Sequence, residues 1–99
     1  MQLTGRLGRD PSFRTTTKTG TLVGRFPLAE HLDDGTTRWH TILAFGDRAK
    51  QLERRTQAGE LAQGREVEVV GYLHTNTRPG KDGRPRPVQE VYATAVTRH

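Results

Sequence analysis

Residues 38–52 read RWHTILAFGDRAKQL, a strand running into a helix, and the rest of the chain is extended on either side of them. From Arg38 to Phe45 apolar residues occupy both parities, with Trp39, Thr41, Leu43 and Phe45 on one side and His40, Ile42 and Ala44 on the other. A strand of that kind wants cover on both faces, or gives one face another use. Gly46 breaks it, and Asp47 is placed to cap a short helix. Ala49 and Leu52 lie three apart on its apolar stripe, with Arg48, Lys50, Glu53, Arg54 and Arg55 exposed. Gly59 and Gly64 limit its length, and the segment from Asp47 to Gln63 leaves the helix end open.

Upstream, a first strand is expected from Gln2 to Gly8, then an extended piece from Phe13 to Thr17 after the Asp10-Pro11 breaker, with Lys18-Thr19-Gly20 as a hairpin. In the second strand Leu22, Gly24, Phe26 and Leu28 share one parity and Arg25 and Pro27 the other, and Asp33-Asp34-Gly35 turns the chain. Downstream, the fourth strand starts near Glu66 with Val67, Val69, Gly71 and Leu73 on one parity and Glu68, Val70, Tyr72, His74 and Asn76 on the other. The fifth runs from about Val88 to Thr97. Between them the segment from Arg78 to Pro87, with Lys81, Arg84 and Arg86, is too basic and turn-rich for a strand and reads as a long hairpin loop. Five strands with one short helix between the third and fourth is the order of an all-β OB-fold, a partly open Greek-key barrel. Its core is expected to bury Ile42, Val67, Val69, Leu73 and Val91. Residues 1–99 are expected to form one domain, since the chain is the length of one and shows no linker.

Hydrophobic residues make up only 31% of the chain, which leaves no room for a deep catalytic cavity. The absence of cysteine excludes disulfides, zinc ribbons and thiol catalysis together. With no apolar run near the roughly 18 residues of a membrane span and no secretory signal at Met1, a cytoplasmic location away from membranes is expected. The net charge of +5 points to an anionic partner. Thirteen of the sixteen cations are arginine, which pairs with phosphate and stacks on planar rings, although a GC-rich genome also favours its codons.

Catalytic templates do not appear, and no cofactor is expected. Gly5-Arg6-Leu7-Gly8 and the loop from Gly80 to Gly83 lack the spacing of a phosphate-cradling loop and read as turns. His31, His40, His74 and His99 show no metal-ligand spacing, and Asp33-Asp34 is a turn former. Trp39, the only tryptophan, shares a strand face with Phe45. Parity alone leaves open whether that face is the barrel interior, with Ile42 and Ala44 outside, or a binding surface. Charge favours the surface: Arg38 flanks Trp39, and the second parity of the fourth strand carries Tyr72, His74 and, further on, Arg78. Aromatics among cations suit unpaired bases, which offer a face to stack and a phosphate to neutralise. Lys81, Arg84 and Arg86 form either a basic finger that touches phosphate or a solvated hairpin tip.

Gly5-Arg6-Leu7-Gly8-Arg9-Asp10-Pro11 followed by Arg14, then Leu28-Ala29, Trp39-His40, Phe45-Gly46 and Gly71-Tyr72-Leu73, resembles in order and spacing the OB domain of bacterial single-stranded DNA-binding proteins. The similarity runs from Leu3 to Val96. It implies nucleoid-associated homo-oligomers, tetramers rather than dimers, that bind single-stranded DNA without sequence preference in replication, recombination or repair. It places Trp39 and Phe45 at stacking positions, and Arg6 and Arg14 on or near the DNA path. Two further tryptophans of that family have no counterpart: His31-Leu32-Asp33-Asp34 stands in one region and Arg78 at the other position, where a guanidinium plane can stack instead. The family's Gly/Pro-rich tail with its acidic tip has no counterpart in these 99 residues, whether removed or never present, so its tail-mediated protein partners are not carried over to this chain. Two other functions fit the same fold, a dimeric primosomal replication-restart protein and an OB module that binds proteins.

Overall fold

The computed structural model describes residues 1–98; His99 lies outside the described residues. Its elements are β1 (Gln2–Leu7), β2 (Ser12–Thr15), β3 (Leu22–His31), β4 (Thr37–Phe45), α1 (Asp47–Gln57), β5 (Glu66–Pro79) and β6 (Pro85–Arg98). β1 and β2 are two halves of one barrel strand, bent over residues 8–11, so the barrel has five strands and the helix sits between its third and fourth. The strand order is β1-β5-β6-β4-β3-β2, and a second pairing of β1, at Arg6 and Leu7 with Ala29 and Leu28 of β3, closes the barrel. This is the expected OB architecture. β4 and β6 run parallel, with Ile42 opposite Val91, whereas the other pairings are antiparallel.

Alternation fills the barrel: Phe26 and Leu28 from β3, Ile42 and Ala44 from β4, Val67 and Val69 from β5 and Val91 from β6 are all essentially removed from water. Each large aliphatic or aromatic side chain so buried contributes about 1.5–3 kcal/mol. Glycine lets two strands approach where a side chain would not fit. A Cβ on Gly5 would strike the carbonyl oxygen of Ala29, and one on Gly71 that of Tyr92.

Four expectations need correction. Leu73 has the inward parity but is half exposed, because β1 pairs with β5 only as far as Gln2 opposite Val70, and beyond that point no strand covers β5 on that side. The segment from Arg78 to Pro87 is not a long loop. β5 and β6 stay paired out to Pro79 opposite Pro85, and only a tight turn remains at the tip, where the Gly80 N–H donates to Arg84 O at 2.8 Å. Prolines at the end of a two-stranded ribbon interrupt no inner ladder, so they do not forbid the strand.

The third correction concerns the helix start. Gly46, at φ 61, is the N-cap and no side chain caps the helix, so Asp47 lies in the first turn, favourable to the helix's positive end. Leaving β4 requires a positive φ, which glycine adopts without strain. The helix ends at Gln57, just before the Gly59 expected to limit it: Gly59, at φ 79, donates to Thr56 O and Glu60 donates to Arg55 O, a Schellman closure. Ala49 and Leu52 are buried as expected, while Glu53 and Arg55 are half-buried rather than exposed.

Candidate nucleic-acid interface

On the outward face of β4, Trp39, Thr41, Leu43 and Phe45 stand in a row beside Ala29, Pro27, Arg25 and Val23 of β3. Trp39 is 61% exposed and Phe45 39%, whereas Ile42 and Ala44 point into the barrel. The tryptophan side is therefore the surface. Six residues of strand separate the two rings by about 20 Å. Trp39 lies over Gly8, so closely that a Cβ there would stand 2.5 Å from Cζ3 of the indole. The Gly8 N–H donates to Pro27 O at 2.9 Å, and Asp10 Oδ1 accepts from the Gln63 N–H at 2.7 Å, which fixes the bend beneath the ring.

Two open clefts flank this row. One, of about 600 Å³, is lined by Trp39, Gly8, Pro27, Arg9, Asp10 and Arg25 among others. The second, of about 550 Å³, has Phe45, Tyr92, Arg14, Asn76, Arg78 and Glu90 in its walls. Arg25 and Ser12 belong to both. Tyr92 is the hub of the second cleft: Phe45 meets it edge to face at 4.9 Å, Tyr72 likewise at 5.6 Å, and the His74 ring stacks on it at 4.6 Å. Such pairs are worth about 0.5–1.5 kcal/mol each beyond area burial, so they hold the rings in place. Beside them Glu90, buried in the wall of this cleft, accepts from Asn76 Nδ2 and, at 3.0 Å, from Arg78 Nη2. Asn76 also donates to Tyr92 Oη at 3.0 Å. The network leaves the Arg78 guanidinium pinned and half exposed at the cleft.

The expected site residues are thus only partly brought together. Trp39, Phe45, Tyr72, His74, Arg78 and Arg14 share the open face, Arg14 by lying opposite Val23, which itself lies opposite Phe45. Arg6 is one strand beyond Ala29, donating to Gly64 O at 2.9 Å and lying 3.8 Å from a Glu66 oxygen. Arg38 is on the opposite face of the β3–β4 ribbon from Trp39, opposite Glu30, because adjacent strand residues point to opposite sides. Lys81, Arg84 and Arg86 lie at the tip of the arm that the paired ends of β5 and β6 form, where Arg86 is 3.3 Å from Asp82. Sequence reading missed Arg9, Arg25, Asn76, Glu90 and Tyr92 as parts of this face. For Arg25 a signal existed: it holds the polar parity in β3, opposite Leu43 of the aromatic row.

At the far end of the same ribbon, Thr36 donates to Asp34 Oδ1 from its hydroxyl at 2.6 Å and its N–H at 3.0 Å. These bonds, with Arg38 nearby, hold the Asp34 carboxyl below the usual aspartate value. Among the described residues no cluster of His, Cys, Asp or Glu could hold a metal ion, and no helix is long and apolar enough to cross a membrane. His40 bonds Glu30 at 3.0 Å.

The model of the single-strand binding protein family matches residues 1–99. The chain is 31% identical over 99 residues to a single-stranded DNA-binding protein of Clostridium tetani, an alignment that covers 95% of this chain and 65% of the relative. Single-stranded DNA-binding protein 3 of Clostridium acetobutylicum aligns with the same identity and coverage. A Clostridium perfringens single-stranded DNA-binding protein is 31% identical over 91 residues, 90% of this chain and 57% of the relative. The chain thus spans less than two-thirds of the length of these curated relatives. With the OB barrel and its outward aromatic row, the match over the full chain leads to one conclusion: the chain belongs to the single-strand binding protein family.

Proposed function

We propose that residues 1–99 act as one OB domain that binds single-stranded DNA without sequence preference, as a binding protein and not an enzyme. The observation that carries this reading is the exposed Trp39 on an open sheet face bordered by arginines, since each base offers a ring to stack and each nucleotide a phosphate to neutralise. Trp39 and Phe45 are the stacking platforms, with Tyr72 and His74 extending the second around Tyr92. Arg6, Arg14 and Arg78 neutralise phosphate beside them, Arg38 does so from the other side of the ribbon, and Lys81, Arg84 and Arg86 at the arm's tip. The biological setting is replication, recombination or repair, in a bacterial cytoplasm and on the nucleoid. The working form is a homo-oligomer, a tetramer rather than a dimer. Supporting it, the second edge of β1 pairs with β3 at Arg6 and Leu7 only, which leaves strand edge for a symmetry mate.

The test uses the single tryptophan as its own reporter. Oligothymidine should quench Trp39 emission, with a midpoint that moves to weaker binding as salt rises. Trp39→Ala should cost about 1–3 kcal/mol of affinity, and Trp39→Phe less. Emission that DNA leaves unchanged, together with a Trp39→Ala protein that unfolds or dissociates, would remove Trp39 from the site. Light scattering with and without the oligonucleotide reports the assembly; a strict monomer at tens of micromolar would contradict the oligomer.

A further inference from the structure

The cations of the candidate interface are not equivalent. Arg6, Arg78 and Arg86 each have a carboxylate within 4 Å, from Glu66, Glu90 and Asp82 respectively. A phosphate arriving there meets charge that is already partly neutralised, and it must share or displace the carboxylate. Arg9, Arg14 and Arg25 are exposed with no carboxylate in ion-pair range among the described residues, and Arg25 is the one of these that lines both clefts. Its β3 position lies opposite Leu43, which is buried and sits between Trp39 and Phe45 in the row. The Arg25 position therefore lies between the two rings, on the wall that the two clefts share. A guanidinium at that place can grip a phosphate with two parallel N–H donors.

We propose that Arg25 seats the phosphodiester that joins a base on Trp39 to the bases on the Phe45–Tyr92 platform, making the two clefts one continuous track. The proposal rests on the single-strand reading above and adds to it the residue that carries the central charge contact. It also ranks the cations: Arg25 contributes a full counterion-release increment, while an arginine already paired with a carboxylate contributes less.

The experiment measures the slope of log K against log salt for oligothymidine binding, followed by Trp39 emission, in the whole chain and three variants. Removing one seated phosphate from a single strand reduces the magnitude of that slope by about 0.7. Arg25→Ala is expected to show that reduction, and Arg25→Lys, which keeps the charge, to restore the slope. Arg48→Ala, on the helix, should leave it unchanged and controls for net charge. An Arg25→Ala slope equal to wild type overturns the proposal, as does an equal reduction in Arg48→Ala or a lysine variant that fails to restore. A wild-type protein that does not bind at all would instead sink the single-strand reading beneath it. The two failures are therefore separable.

Discussion

Gly8 lies outside the left-handed region, so its backbone accepts alanine, and yet a Cβ there would stand 2.5 Å from Trp39 Cζ3 and 2.9 Å from Cη2. Ordinary carbon contacts are about 3.5 Å, so by difference the indole edge must retreat by about 1 Å. Nothing else must move: the third neighbour, Pro27 Cγ, is at an ordinary 3.4 Å. Because Trp39 is 61% exposed, its ring can swing into solvent at little cost to the fold. Gly8→Ala should therefore change unfolding free energy by no more than about 0.5 kcal/mol, as at any surface site. Binding should suffer more. A ring lifted from its seat loses part of a stacking contact worth about 1–3 kcal/mol, so a loss near 1 kcal/mol, about five-fold in Kd, is expected. The assay is a double-mutant cycle by oligothymidine titration, read by filter retention because two of the four proteins lack tryptophan. If Gly8 acts through Trp39, Gly8→Ala should be neutral in the Trp39→Ala background. Additive losses would refute the reasoning, and so would a Gly8→Ala protein that unfolds easily while binding normally.

Gly5→Ala offers the contrasting case: its Cβ would meet the Ala29 carbonyl, which cannot swing away, so overpacking should cost about 1–3 kcal/mol in denaturant unfolding. Gly59→Ala places a side chain at φ 79 in the helix closure and should cost about 1–2 kcal/mol by the same measurement. Arg78→Ala removes a charged donor from buried Glu90; because Arg78 is itself half exposed, a cost of about 1–2 kcal/mol is expected in thermal unfolding. For Asp34 the folded carboxyl titrates below its ordinary value of 3.8, so its contribution is present above that value and disappears as pH falls through the lower, folded one. Thr36→Val should return the Asp34 titration, followed by NMR, towards 3.8; an unmoved midpoint would show that the Thr36 hydroxyl is not the cause.

Period-two alternation made most of the barrel legible, because Phe26, Leu28, Ile42, Val67 and Val69 are inward on strands that have neighbours on both sides. Leu73 has the same parity and failed, since parity names a face but not how far the neighbouring strand extends. The arm was missed for a related reason: glycine and proline mark a turn, and their density hid how tight this one is. At the candidate site, spacing within one strand put Trp39 and Phe45 on a shared face, and flanking charge rather than parity took that face for the outward one, where both rings are exposed. Arg25 and Tyr92 were not found, since each reaches the aromatic row only by lying opposite Leu43, one through β3 and the other through β6. Arg38 was assigned by adjacency in sequence, which in a strand places residues back to back.

One residue of β6 decides which side of the wall its neighbours occupy. Val70 lies opposite Ala95 and Gly71 opposite Ala93, so Thr94 is the extra residue of a bulge, its hydroxyl donating to Val70 O at 3.0 Å. Upstream, odd positions 91 and 93 face the core and Tyr92 faces the clefts; downstream the inward position is Val96, an even number. Thr94 thus works as a half-step in the strand's reading frame. Deleting it would leave the composition almost unchanged and yet force a choice, either Val96 turned out to water or Tyr92 and Glu90 turned into the barrel. Length at this point is held more tightly than identity: many side chains could stand in for threonine there, but no shorter chain could keep both the core and the aromatic hub.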